Sequence, residues 1–153
     1  MQFLDTNILL YALSTDPGEA AKAEKALDLL NQPNCAIPVQ VVQEFYVQAT
    51  RENKTSRITH DQAIALITSW ERFKVQSITL PIVDAAFRTK KRFRISYRDA
   101  AIVESARAAG CKVIYSEDLN AGQDFDGVRI ENPFSHRSGP KSCRMPRWTW
   151  VRE

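Results

Sequence analysis

The chain has 153 residues, 44% of them hydrophobic and 25% charged, with a formal net charge of +3. That length holds one domain with a sizeable core and is short for two, and the mixture excludes a disordered or collagen-like chain. No apolar stretch approaches the ~20 residues of a membrane span, and the start lacks a basic n-region and is interrupted by Asp5, which argues against a signal peptide. Cys35, Cys111 and Cys143 are odd in number and lack CxxC spacing. This argues against a disulfide framework or a zinc knuckle and for a reducing, cytoplasmic setting.

In chain order, Gln2, Phe3 and Leu4 read as a buried strand that ends at once on Asp5, Thr6 and Asn7. The stretch GEAAKAEKALDLLN places Ala20, Ala23, Leu27 and Leu30 at helical spacing. A second strand is expected over residues 35–37. It is followed by a helix in VVQEFYVQAT, with Val42, Phe45, Tyr46 and Ala49 on one stripe. The stretch THDQAIALITSWERF repeats the pattern with Ala63, Leu66, Ile67 and Trp70, and a third strand is expected over 75–78. Next, Arg88, Lys90, Lys91, Arg92, Arg94 and Arg98 run without an acid between Asp84 and Asp99. Such a run reads either as a solvated helix face or as a phosphate-attracting patch. The stretch RDAAIVESARAAG puts Asp99, Ile102, Val103 and Ala106 on one helix face and stops at Gly110. Strands over 112–115 and 128–130 complete the series.

Strands alternating with helices imply an α/β fold, with a mainly parallel sheet and helices on both faces. Composition shifts after Asn132-Pro133-Phe134, which divides the chain into a domain over 1–134 and a basic extension over 135–153. In the extension, Arg137, Lys141, Arg144, Arg147 and Arg152 stand against Glu153 alone, a net +4, so the domain itself is at −1. Trp148 and Trp150 have two readings: docking on the domain, or stacking on a nucleic-acid base.

In an open parallel sheet, ligands bind at the carboxyl ends of the strands, near the point where strand order reverses. Asp5 ends the first strand. Ser116, Glu117 and Asp118 end the strand over 112–115. Glu44 lies in the helix after the second strand, and Asp99 opens another helix. Each acid also has a structural reading. Asp5 can cap a helix, Glu44 can sit on a solvated face, Ser96 and Asp99 fit a capping box, and Asp118 suits a turn. As a set they suggest more. Clustered carboxylates repel unless a cation screens them, and a hard divalent ion such as Mg2+ or Mn2+ takes oxygen ligands. The chain has only two histidines, His60 and His136, which disfavours a histidine acid–base ribonuclease. It has no GxSxG, no Gly-Lys-Ser/Thr phosphate loop and no GxGxxG.

Four stretches taken together, FLDTNILLYAL, VVQEF, ISYRDAAIVESARAAGC and VIYSEDLNAGQDFDGVRIENPF, resemble the PIN-domain nucleases, in particular their VapC-type toxin branch. The resemblance covers about residues 1–134 and leaves the extension without a counterpart. It implies a three-layer α/β/α fold, Mg2+- or Mn2+-dependent endoribonuclease activity, homodimers and a cognate antitoxin. Asp5, Glu44, Asp99 and Asp118 match the four family acids. Thr6, Asn7 and Ser116 match their polar neighbours, and Glu117 is able to share the role of Asp118. Arg88 to Arg98 is the candidate RNA-backbone run. Two rivals are a catalytically silent RNA-binding or scaffold module on the same body, and a different carboxylate–metal enzyme such as a phosphatase or DNA flap nuclease.

Overall fold

The computed structural model describes residues 1–52 and 56–135. Arg137, Cys143, Trp148, Trp150 and the rest of the expected extension past Ser135 lie outside the described residues. Five strands form one sheet: β1 (Gln2–Leu4), β2 (Cys35–Pro38), β3 (Lys74–Gln76), β4 (Val113–Tyr115) and β5 (Arg129–Glu131). Their order is β3-β2-β1-β4-β5 and every neighbouring pair is parallel. Among the described residues the helices are α1 (Thr6–Tyr11), α2 (Ala20–Leu30), α3 (Val39–Ala49), α4 (His60–Ser69), α5 (Leu80–Phe93) and α6 (Tyr97–Ala108). None of them is long and apolar enough to cross a membrane.

Strand alternation builds the three layers. Leu4, Cys35 and Ile37 face one side and pack with Ile8, Leu9, Leu29, Val41 and Phe45 of the first three helices and with Trp70, in the 3-10 turn that follows α4. Phe3, Ala36, Ile114 and Ile130 face the other side and pack with Ile102, Val103 and Ala106 of α6. Phe45 and Trp70 meet edge to face, with ring centroids 4.6 Å apart. From Ala100 to Ala106 every residue of α6 is buried, because the sheet covers one side and α5 the other. A helix covered on both sides has no solvent face to read.

Three expectations shift. On α2 the buried residues are Ala26, Leu29 and Leu30, while Leu27 is 48% exposed. The apolar spacing 20-23-27-30 therefore pointed about a quarter-turn away from the true seam. The third strand is Lys74–Gln76 and not 75–78, because Ala36, Ile37 and Pro38 of β2 offer partners only to those three residues. It is an edge strand, and Val75 is 44% exposed. Finally, α5 carries the cations as far as Arg92, but Arg94 leaves the helix with φ +56° and Arg98 belongs to α6. The run is thus divided between two helices.

Candidate active site

Sheet order reverses between β1 and β4, and the register pairs Leu4 with Tyr115. The residues that follow, Asp5 and Ser116, therefore leave the sheet side by side at the switch point. Asp5 is 2% exposed and Ser116 fully buried. The Asp5 backbone N–H bonds the Tyr115 carbonyl at 3.1 Å. Its Oδ1 accepts the Thr6 N–H at 2.7 Å, so Asp5 is indeed the N-cap of α1. Its Oδ2 accepts the Ser116 hydroxyl at 2.7 Å. Burial pushes the Asp5 carboxyl above its usual range, against the hydrogen bonds from Ser116 and Thr6 and the charge of Arg98, and the Asp118 charge adds to the rise. A cap alone has no need of a buried carboxylate beside a second one. The capping reading of Asp5 is met.

Ser116 also organises the loop after β4. Its Oγ accepts the N–H groups of Asp118 and Leu119, each at 3.2 Å. Glu117 and Asp118 thereby part company. Asp118 is exposed and close enough to Asp5 to act on its charge. Glu117 turns to α1 and α2, where it accepts the Tyr11 hydroxyl and the Lys22 ammonium. Burial would raise the Glu117 carboxyl, but Lys22 and Tyr11 outweigh it and hold it below the usual carboxylate range. The Tyr11 ring packs edge to face on Phe134, 4.9 Å between centroids.

Glu44 leaves α3 toward the same rim. Its carboxylate accepts the Thr6 hydroxyl at 2.7 Å and two bonds from Arg98, Nε at 2.8 Å and Nη2 at 2.7 Å. Burial would raise its carboxyl, but Arg98 and Thr6 outweigh that and hold it below the usual range. Asp99 opens α6 half-buried, and its N–H is taken by the Ser96 hydroxyl at 3.0 Å. The Arg98 guanidinium feels the charges of Glu44, Asp5 and Asp99 together. Asn7 lines a cleft of about 320 Å³ with Leu10, Tyr11 and Ser14, and among the described residues neither of its buried side-chain amide atoms has a hydrogen-bond partner.

Asp5, Asp118, Asp99 and Glu44 thus share one rim through Thr6, Ser116 and Arg98. Among the described residues, no three His, Cys, Asp or Glu side chains are grouped tightly enough to enclose a metal on their own. The donor chemistry still fits a hard divalent ion. The acids are oxygen donors, Asp5 is buried beside a second negative charge, and the Asn7 amide is left unsatisfied two residues away. Mg2+ characteristically binds one or two carboxylates and completes its shell with waters and substrate phosphates.

Of the cationic run, Arg98 is tied to Glu44, and Arg92 pairs with Asp126 at 2.9 Å. Arg88, Lys90, Lys91 and Arg94 are exposed and make no ion pair among the described residues. Sequence reading missed Tyr11 and Lys22 as partners of the loop after β4, and read Arg98 as part of a solvated face or a phosphate contact, not as the partner of Glu44. These pairs span 54 to 106 residues, and nothing in local spacing signals them.

A family model described as the PIN domain matches residues 3–124. No curated protein matches the sequence. Solved structures share the fold. VapC20 of Mycobacterium tuberculosis, a sarcin-ricin loop cleaving toxin, is 19% identical, with 78% of this chain and 92% of that one covered and a TM-score of 0.61. A toxin–antitoxin complex from Klebsiella pneumoniae is 19% identical, with 88% and 98% covered and a TM-score of 0.64. DNA-bound VapBC from Salmonella typhimurium is 17% identical, with 86% and 97% covered and a TM-score of 0.61. With the family model running from β1 past β4, over the switch point and the four acids, this chain belongs to the PIN domain family.

Proposed function

We propose that the chain is a Mg2+- or Mn2+-dependent endoribonuclease and the toxin of a toxin–antitoxin pair, acting at Asp5, Glu44, Asp99 and Asp118. The observation that carries this reading is Asp5: a buried carboxylate at the switch point, its charge opposed by burial and by Asp118. A divalent ion held there by Asp5, Asp99 and Asp118 would supply Lewis acidity and a nucleophilic water at neutral pH. The chain's own residues do the positioning. Ser116 and the Thr6 N–H fix both oxygens of Asp5. Ser116 sets the loop that presents Asp118, and the Thr6 hydroxyl orients Glu44. Glu117 serves as the tie of that loop to Tyr11 and Lys22. Exposed Arg88, Lys90, Lys91 and Arg94 suit phosphate contacts, which position an RNA strand without reading its sequence.

The partners follow from the same reading. Structures with this fold include toxin–antitoxin complexes and a toxin described as cleaving the sarcin-ricin loop. We extend to this chain an antitoxin partner, an RNA substrate and a homodimer. Apolar side chains are available for such contacts: Leu80 is 78% exposed, Val47 60% and Phe87 57%. Residues 1–134 form the nuclease domain and 135–153 an added basic segment.

The test is cleavage of single-stranded RNA, structured RNA, DNA flaps and a small phosphate ester, with Mn2+ or Mg2+ and with chelator. RNA cut only in the presence of the ion is the expected result. Preference for DNA flaps or phosphate esters would replace the ribonuclease assignment, and no turnover on any substrate would leave a scaffold.

A further inference from the structure

Three hydrogen bonds occupy most of the Glu44 carboxylate. A carboxylate offers about four lone-pair sites. Arg98 takes two, through Nε at 2.8 Å and Nη2 at 2.7 Å, and Thr6 Oγ1 takes a third at 2.7 Å. A bidentate guanidinium–carboxylate pair is the strongest of the common charged contacts and fixes geometry as well as charge. Its cation lies within the field of Asp5 and Asp99, so a protein side chain already supplies positive charge at this rim.

We infer that Arg98 is the second cation of the site: Glu44 holds Arg98 in place of a second divalent ion, and the site takes a single metal through Asp5, Asp99 and Asp118. This rests on the metal-dependent reading above and refines the role of one acid. Glu44 then acts through Arg98 and is a positioning residue. Glu44 is engaged by the guanidinium and by the Thr6 hydroxyl. A fixed cation next to a metal site also repels the metal. For a unit positive charge and a divalent ion roughly 6 Å apart in water, loss of the unit charge strengthens ion binding by about tenfold.

The experiment is Mn2+ titration of the full chain by calorimetry and electron paramagnetic resonance, with thermal melting of each metal-free variant as the check on folding. Wild type is expected to bind one Mn2+ per chain. Arg98→Gln should bind Mn2+ about tenfold more tightly or accept a second ion. Arg98→Lys keeps the charge without the fork and should stay at one ion with near wild-type affinity, which separates the charge from any loss of packing. Two ions in wild type, or the same affinity and stoichiometry in wild type and Arg98→Gln, would overturn the inference while leaving the metal-dependent reading intact. No Mn2+ binding by wild type would overturn that reading and the inference with it.

Discussion

Ser116 donates a 2.7 Å hydrogen bond to Oδ2 of Asp5, 111 residues earlier in the chain, and its oxygen accepts the N–H groups of Asp118 and Leu119. One buried hydroxyl therefore ties the end of β1 to the loop after β4. Ser116→Ala leaves a buried carboxylate oxygen and two N–H groups short of a partner. The expected cost is about 1–3 kcal/mol. For a chain of this size each kcal/mol lowers the melting temperature by roughly 2–4 °C. Melting and RNA cleavage should fall together, and an unchanged melt would deny Ser116 this role.

Asp5→Asn is expected to abolish cleavage without unfolding the protein. The sign of its stability effect follows from the raised Asp5 carboxyl. The folded chain takes up this proton more readily than the unfolded chain, so the Asp5 contribution grows as pH falls through the folded value and opposes folding when ionised. Asn removes that charge. The metal-free variant should melt at or above wild type at neutral pH, with the difference shrinking in acid. A variant that melts well below wild type at neutral pH would contradict this.

Glu117 has the opposite sign. Its carboxyl is held low by Lys22 and Tyr11 against burial. It therefore stabilises the fold above the unfolded value near 4.3, and the contribution is lost as pH falls through the lower folded value. Glu117→Gln should lower the melting temperature at neutral pH and match wild type in strong acid. Because Glu117 faces Lys22 and Asp118 does not, Asp118→Asn should depress cleavage far more than Glu117→Gln. Equal losses would return Glu117 to the set of acids.

All five strands were legible in the sequence, to within two residues, because each holds apolar residues in a short stretch between helices or turns. The alternation of strand and helix sufficed for the parallel sheet, and strand ends located Asp5 and Ser116. Glu44 was not legible from periodicity. It lies off the buried stripe of Val41, Phe45 and Ala49, and only Thr6 and Arg98, distant in sequence, explain its placement. Arg98 looked like one cation among six. The run is interrupted where Arg94 leaves α5, and that break sends Arg98 to the acids rather than to solvent. The seam of α2 was misread because Leu27 satisfied the helical spacing yet faces outward. Helical spacing defines a stripe only to within a neighbouring row, and packing against Leu9 and Cys35 chose the row containing Leu29.

The extension offers a separate test. Residues 135–153 carry a net +4 and two tryptophans on a domain of net −1. If they bind single-stranded RNA, truncation after Phe134 should weaken binding and reduce its salt slope by about 0.7 for each phosphate the segment neutralises. An unchanged slope with a lower melting temperature would assign the segment to packing instead.

The most direct test of the central claim is single-turnover cleavage of RNA by wild type and Asp99→Asn, both verified as folded by melting, with Mn2+ supplied and then chelated. Wild type should cut only with the ion present, and Asp99→Asn should show no cleavage under either condition. Wild-type turnover in Asp99→Asn, or cleavage by wild type that survives complete chelation, would contradict the assignment of this rim of acids as a metal-dependent nuclease site.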